Sequence, residues 1–243
     1  MELVIEHLSK AFGTKQVLSN INFRFTKGKI YALLGRNGVG KTTFFNCLNG
    51  DIKSDSGHVS LLTDHKQRDI KADDIGYVLS TPTVPPFLTG REFLKFFLDI
   101  HESTISNPKS PEEYFEEIHI APEDRDKLLK DYSHGMKNKM QMLVNMIARP
   151  PILLLDEPLT SLDVVVAEEM KQVLRTLKQD CIIILSTHIM DLALNLCDEI
   201  VLLNHGELES VDMSGLNNQT FQEKIIKGDY EKKSVKIISS NEL

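Results

Sequence analysis

The sequence predicts an α/β fold: a mostly parallel sheet, an antiparallel β portion at the N-terminus, and an α-helical lobe inserted into the core. Three observations carry this. Strand and helix patterns alternate from about residue 150 onward, as in a parallel sheet covered on both faces. A short apolar strand, "KIYALLG", runs straight into a glycine-rich turn and a helix. Between Pro82 and Arg149 strand texture gives way to helical periodicity, which marks an insertion of about 65 residues on the lengths helices and their caps require.

The elements follow in order. "LVIEHL" and "VLSNINFRF" alternate apolar and polar residues with period two, the pattern of half-buried strands. "KTTFFNCLNG" is a helix that stops at Gly50, glycine being suited to the left-handed residue that ends many helices. "GHVSLL" and "DIGYVLS" are further strands. In the lobe, Thr89 caps "REFLKFFLDI", and Ser110-Pro111 gives "EEYFEEI" an N-cap with proline at its first position. "EDRDKLLKD" continues the helical texture. The next helix places Met136, Met140, Leu143, Val144, Ile147 and Ala148 on one face at spacings of 4, 7, 8, 11 and 12. Alternation then returns with "ILLL", a helix over 164–179, "CIIILS", a helix over 189–197 and "EIVLLN". From Asn217 the pattern is mixed and predicts no element.

Composition bounds the function. With 243 residues, 41% hydrophobic and 26% charged, the chain is expected to be a soluble globular protein. A net charge of −7 argues against sequence-independent binding to nucleic acid, which needs a basic surface. The three cysteines, Cys47, Cys181 and Cys197, have no CxxC spacing and sit in apolar stretches. Buried thiols in a reducing compartment are expected. No signal peptide is read at "MELVIEHLSK", and the longest apolar runs fall well short of the ~20 residues that span a bilayer.

"GRNGVGKT" fits the phosphate-loop pattern G-x-x-x-x-G-K-[ST], with the required strand before it and helix after it. Gly35, Arg36, Asn37, Gly38, Val39, Gly40, Lys41, Thr42 and Thr43 are therefore expected to hold a nucleotide. The glycines let successive backbone N–H groups converge on phosphate oxygens. The Lys41 ammonium would lie on the outer phosphates and the Thr42 hydroxyl would hold Mg²⁺. "PILLLDEP" puts Asp156 and Glu157 at the C-terminal end of a buried strand, where α/β sheets bind ligands. Adjacent carboxylates repel unless a cation or separate tasks divide them. Asp156 would reach the metal, and Glu157 would face the attacking water as general base or orienter. His188 ends "CIIILSTH" at another strand edge, in a position to contact the γ-phosphate.

In this order the motifs resemble the nucleotide-binding subunit of ATP-binding cassette (ABC) transporters, over about residues 2–210. The resemblance implies a phosphate-loop NTPase core and an ATPase that binds ATP and Mg²⁺. It makes residues 1–216 one ATPase domain, with the helical lobe at about 82–149 and a C-terminal extension at 217–243. It assigns Phe12 in "LSKAFG" to stacking on adenine, Ser133 and Gly135 in "SHGMK" to the signature loop, Asp163 in "SLD" to a loop acting across a dimer, and His188 to the switch histidine. Where the family carries a glutamine that touches Mg²⁺ and relays the nucleotide state, this chain has Ser80. Serine keeps an oxygen on a much shorter arm, which puts direct metal contact there in doubt. Val164 follows Asp163 where proline is common.

A Ser and a Gly opening the helix of "YSHGMKNKMQM" make an anion-binding helix start, about a hundred residues beyond the phosphate loop. The family supplies an anion for it: the γ-phosphate of ATP held by an opposing subunit. The resemblance thus implies a homodimer, or a heterodimer with a similar subunit, around two ATPs. It also implies a separately encoded transmembrane permease and a peripheral place on the cytoplasmic face of the membrane. The "YSHGMK" variant is similar to the exporter-rich branch. The alternative is a soluble member of the family in cofactor assembly or another non-transport role.

Overall fold

Two sheets with different pairing make up the frame. The computed structural model describes residues 1–102, 105, 108–159, 162 and 164–211. The first sheet is antiparallel, in the order β2-β1-β4-β5, from β1 (Glu2–Phe12), β2 (Lys15–Thr26), β4 (Ser56–Thr63) and β5 (Lys66–Asp69). The second, in the order β10-β9-β3-β8-β7-β6, contains β3 (Ile30–Leu34), β6 (Ile75–Val78), β7 (Ile152–Asp156), β8 (Ile182–Ser186) and β9 (Glu199–Asn204) in parallel. Only its edge strand β10 (Glu207–Val211) is antiparallel.

The strand sequences explain this layering. "IYALL", "ILLLD" and "IIILS" are buried at every position, because this sheet is covered on both faces. One apolar cluster lies between the sheets and includes Phe44 and Phe45 of α1 (Lys41–Asn49). A second lies beneath α5 (Val164–Leu177) and α6 (Met190–Leu196).

Between β6 and β7 lie α2 (Gly90–Ile100), α3 (Pro111–Glu117) and α4 (His134–Ala148), which share a third cluster centred on Leu94, Phe115, Leu129 and Leu143. Both expected caps form: Thr89 and Ser110 accept from the N–H groups of Glu92 and Glu113, whose carboxylates return to the cap backbones. Gly50 ends α1 in the left-handed region at φ 83°.

Four local expectations differ. "EDRDKLLKD" forms short 3-10 turns at Pro122–Asp124 and Leu129–Asp131. Its backbone is engaged elsewhere: Arg91 N–H donates to the Arg125 carbonyl at 2.9 Å, and Leu129 N–H donates to the Leu88 carbonyl at 2.8 Å. These bonds to the start of α2 displace the helical i→i−4 pattern. The sequence reading gives no strand at β5 or β10: "KQRD" is fully exposed with no apolar alternation, and "ELESV" has no buried position. Ala148 is exposed, while Asn138, Lys139 and Gln141 are buried. Helix α4 is lodged between lobe and core, so more than one of its faces is covered: Lys139 reaches Glu169 of α5 at 2.9 Å and Gln141 donates to the Thr83 carbonyl at 3.2 Å. The helices of α5 and α6 are each shorter than expected by one or two residues per fraying end.

Candidate functional site

The parallel register brings the chemistry together. Leu33 of β3 and Asp156 of β7 both pair with Ser186 of β8, so three strands end in one row. Loops leaving this edge form a cleft of about 450 Å³ lined by Phe12, Lys15, Val17, Asn37, Gly38, Gly40, Lys41, Thr42, Thr43, Ser80, Asp156 and Glu157.

The glycine-rich loop adopts the conformation its sequence calls for. Gly38 and Gly40 have φ of 76° and 120°, and a Cβ at Gly40 would lie 2.6 Å from Val17 Cγ1. Only glycine fits there. Lys41 opens α1 with its ammonium turned back onto the loop, donating to the Gly35 carbonyl at 2.8 Å. Burial lowers its pKa, opposed by the nearby Glu157 and Asp156 carboxylates. A buried ammonium resting on carbonyls gains from an incoming polyanion. Gly35, Arg36 and Val39 form the loop without lining the cleft.

The acidic strand end is tightly organised. Thr42 Oγ1 donates to Asp156 Oδ2 at 3.1 Å, and Ser186 Oγ donates to Asp156 Oδ1 at 2.6 Å. The same Ser186 Oγ accepts from Glu157 N–H at 3.0 Å. Glu157 sits at φ 50°, a left-handed conformation that costs a non-glycine residue about 1–2 kcal/mol. The bond to Ser186 holds it there. Its carboxylate Oε2 lies 2.9 Å from His188 Nδ1, so the two side chains that sequence placed on separate strand ends form a pair. A hydroxyl and a carboxylate side by side beside a phosphate loop are the oxygen donors a hard divalent cation takes.

Phe12 stands at the mouth of the cleft, 49% exposed. Ser80 lines the wall. Ser133 and Gly135 do not. Helix α4 packs on β6 and α5, and β6 is three positions from β3 in the sheet, about 14 Å at the spacing of neighbouring strands. Ser133 Oγ instead accepts from Met136 N–H of its own helix at 3.2 Å. Among the described residues, a Cβ on Gly135 would meet Leu162 and Val166, at 3.7 and 3.9 Å. Asp163 lies outside the described residues.

Sequence reasoning missed Ser186, Lys15 and Val17. Ser186 had a signal: it is the polar end of the otherwise apolar "CIIILS", and a buried hydroxyl at a strand end needs a partner. Lys15 and Val17 had none, because they belong to the other sheet.

An edge of this kind suits a nucleoside triphosphate, and comparison with known proteins identifies the class. Residues 18–160 match the ABC transporter family. The chain is 30% identical over 245 residues to the uncharacterized ABC transporter ATP-binding protein YdbJ of Bacillus subtilis (strain 168), covering 99% of this chain and 78% of that protein. It is 31% identical to the bacitracin transport ATP-binding protein BcrA of Enterococcus faecalis, covering 90% and 72%. It is 32% identical to the sulfate/thiosulfate import ATP-binding protein CysA of Mannheimia succiniciproducens, covering 87% and 61%. Among solved structures, a dimeric post-hydrolysis state of an ATP-binding cassette bound to ADP and Pi has the same fold, with a TM-score of 0.72 at 21% identity over 88% of this chain and 100% of that one. The chain belongs to the ABC transporter family. It is an ATP-binding subunit with ATPase activity. Among the described residues no helix is long and apolar enough to cross a membrane.

Proposed function

We propose that this chain is the motor of an exporter, dimerising around two Mg-ATP and driving a separate membrane subunit. The observation that carries the catalytic reading is the connected set Thr42–Asp156–Ser186–Glu157–His188 at one sheet edge beside Lys41. In this reading Lys41 and the loop N–H groups that face the cleft within residues 35–43 grip the phosphates, and Phe12 supports the base. Thr42 and Asp156 would hold Mg²⁺, and Ser80, which lines the same cleft, would add its hydroxyl to that set. Bound there, Mg²⁺ would offset phosphate charge as a Lewis acid. Glu157 orients the attacking water and accepts its proton. His188 steadies Glu157 through Nδ1, which leaves Nε2 for the γ-phosphate.

The dimer reading rests on the exposed start of α4, with Ser133 and Gly135 offered to a partner's phosphate and Asp163 acting across the interface. The dimeric cassette bound to ADP and Pi supports it. One ATPase domain over 1–216, with the lobe at 82–149 and an extension at 217–243, remains the division we propose. Export rests on the "YSHGMK" variant and on likeness to the bacitracin transport protein; likeness to the sulfate/thiosulfate import protein favours the opposite direction.

The surface proposed for the membrane subunit is centred on Phe87, 74% exposed, with Phe96 and Ile100 also exposed on α2. Val84 and Leu88 of the same stretch pack onto the lobe cluster instead. In gently solubilised membranes the chain should co-purify with a transmembrane protein. Phe87→Asp should reduce that recovery about tenfold, as expected for loss of a central interface anchor, and leave basal ATPase activity unchanged. Normal recovery would remove this surface. In vesicles holding the pair with the ATPase outside, ATP should drive cargo inward; ATP-driven release from preloaded vesicles would mean import.

A further inference from the structure

Phe12 ends β1 at the cleft mouth, beside the Gly13-Thr14 turn. A half-exposed ring on a hairpin end has little packing to hold it. Polar contacts hold it instead. Ala11 N–H donates to Asp55 Oδ2 at 2.7 Å, Lys10 Nζ donates to Asp55 Oδ1 at 2.9 Å, and Asp55 N–H donates to the Ser9 carbonyl at 2.9 Å. A single residue from another loop thus clasps three consecutive residues of β1. The Lys10 ammonium lies 5.3 Å from the centroid of the Phe12 ring, within cation–π range. The Lys10 side chain is only 15% exposed, whereas lysines usually extend into water.

Asp55 belongs to the segment between α1 and β4. That segment is tied back to α1, since Ile52 N–H donates to the Asn46 carbonyl at 3.1 Å. The helix that opens with Lys41 is therefore linked to the aromatic ring through one carboxylate. The Lys10 ammonium and the Ala11 N–H hold the Asp55 carboxyl below its usual range, so the clasp is charged at neutral pH. Phe12 lines the cleft and Lys10 does not, so the ring and not the ammonium is offered to a ligand there. A cation on one face draws π density toward itself and leaves the other face a better partner for an electron-rich purine.

We propose that Lys10 and Asp55 are positioning residues for the nucleotide base, fixing Phe12 as a one-faced platform at a set height above the phosphate loop. Neither touches the nucleotide. The proposal rests on the reading of Phe12 as the base platform and adds what orients it. Because the clasp serves the base alone, removing it should weaken a nucleotide and spare a base-free polyphosphate.

The test titrates the full chain, with Mg²⁺ present, against ATP and against inorganic tripolyphosphate. Phe12→Ala should weaken ATP about tenfold and leave tripolyphosphate unchanged, as loss of a stacking face predicts. Lys10→Met and Asp55→Asn should each weaken ATP roughly threefold to fivefold with tripolyphosphate unchanged, the range for an exposed cation–π contact. Each should raise KM by that factor and hold kcat within about twofold, whereas Lys10→Arg should restore ATP affinity. In a Phe12→Ala background, Lys10→Met should cost nothing further. If Phe12→Ala weakens ATP but Lys10→Met and Asp55→Asn do not, the clasp is overturned and the platform stands. Equal loss of ATP and tripolyphosphate in Lys10→Met would mean a general structural role and also overturn it. No effect of Phe12→Ala removes platform and clasp together. Should Asp55→Asn fail to fold, the Lys10 pair of variants decides.

Discussion

The strand-end cluster and the start of α4 both offer polar groups, and they differ in how far one chain satisfies them. At the strand ends Lys41 rests on the Gly35 carbonyl, Thr42 and Ser186 share Asp156, and Glu157 is bonded to His188. At the start of α4, Ser133 caps its own helix, and among the described residues a Cβ on Gly135 would meet the apolar Leu162 and Val166. The first N–H groups of any helix lack intrahelical partners. The first region is preorganised by intrachain bonds. In the proposed dimer the second would serve as a donor surface that the phosphate of another copy completes.

Three substitutions break or sharpen that contrast. The largest effect is expected within the cluster. Glu157→Gln keeps shape and hydrogen-bonding reach but neither accepts a proton nor carries charge, so steady-state ATPase activity should fall about 10²–10⁴-fold. ATP affinity should stay near that of the unmodified chain, and an ATP-bound dimer should accumulate in gel filtration. Near-normal turnover would remove Glu157 from the reaction.

A large effect should also come from the bare helix start, by a different route. Ser133→Arg should cut hydrolysis on the order of 10²-fold, the scale for losing a phosphate-facing donor, while equilibrium ATP binding stays intact because the phosphate loop is untouched. Mixed with a Lys41→Ala subunit, it would form one composite site with a sound loop and a sound helix start. Partial recovery of turnover on mixing means independent sites, and recovery of the dimer alone means the sites act together. Full activity of Ser133→Arg by itself would show that α4 faces no phosphate, and the contrast between the two regions would lose its meaning.

The smallest change tests whether preorganisation matters. Ser186→Ala removes the donor to Asp156 and the acceptor for Glu157 N–H at a position that is fully buried. A buried group left without its partner costs about 1–3 kcal/mol. Thermal unfolding should therefore shift down by a few degrees, on the scale of roughly 2–4 °C per kcal/mol for a domain of this size. Turnover should fall about tenfold, because Glu157 is no longer held in its strained backbone conformation. Unchanged kcat alongside a lowered Tm would make Ser186 a stability residue only.

What this sequence determined by itself was local. The phosphate loop, the acidic strand end, the Thr89 and Ser110 caps and the Gly50 stop all depend on residues within about one helical turn, where spacing is geometry. Fully apolar runs such as "ILLL" likewise announce a sheet covered on both faces. Tertiary structure decided what joins residues distant in sequence. Ser186 reaches Asp156 across 30 residues, and Asp55 reaches Ala11 across 44. "EDRDKLLKD" has the residues of a helix, yet its backbone groups find partners at and just before the start of α2 and it closes into short turns. Lys139 and Gln141 are buried in α4 because their partners come from other elements. Periodicity reports which residues share a face, whereas the partner that face meets is set only when the chain closes on itself.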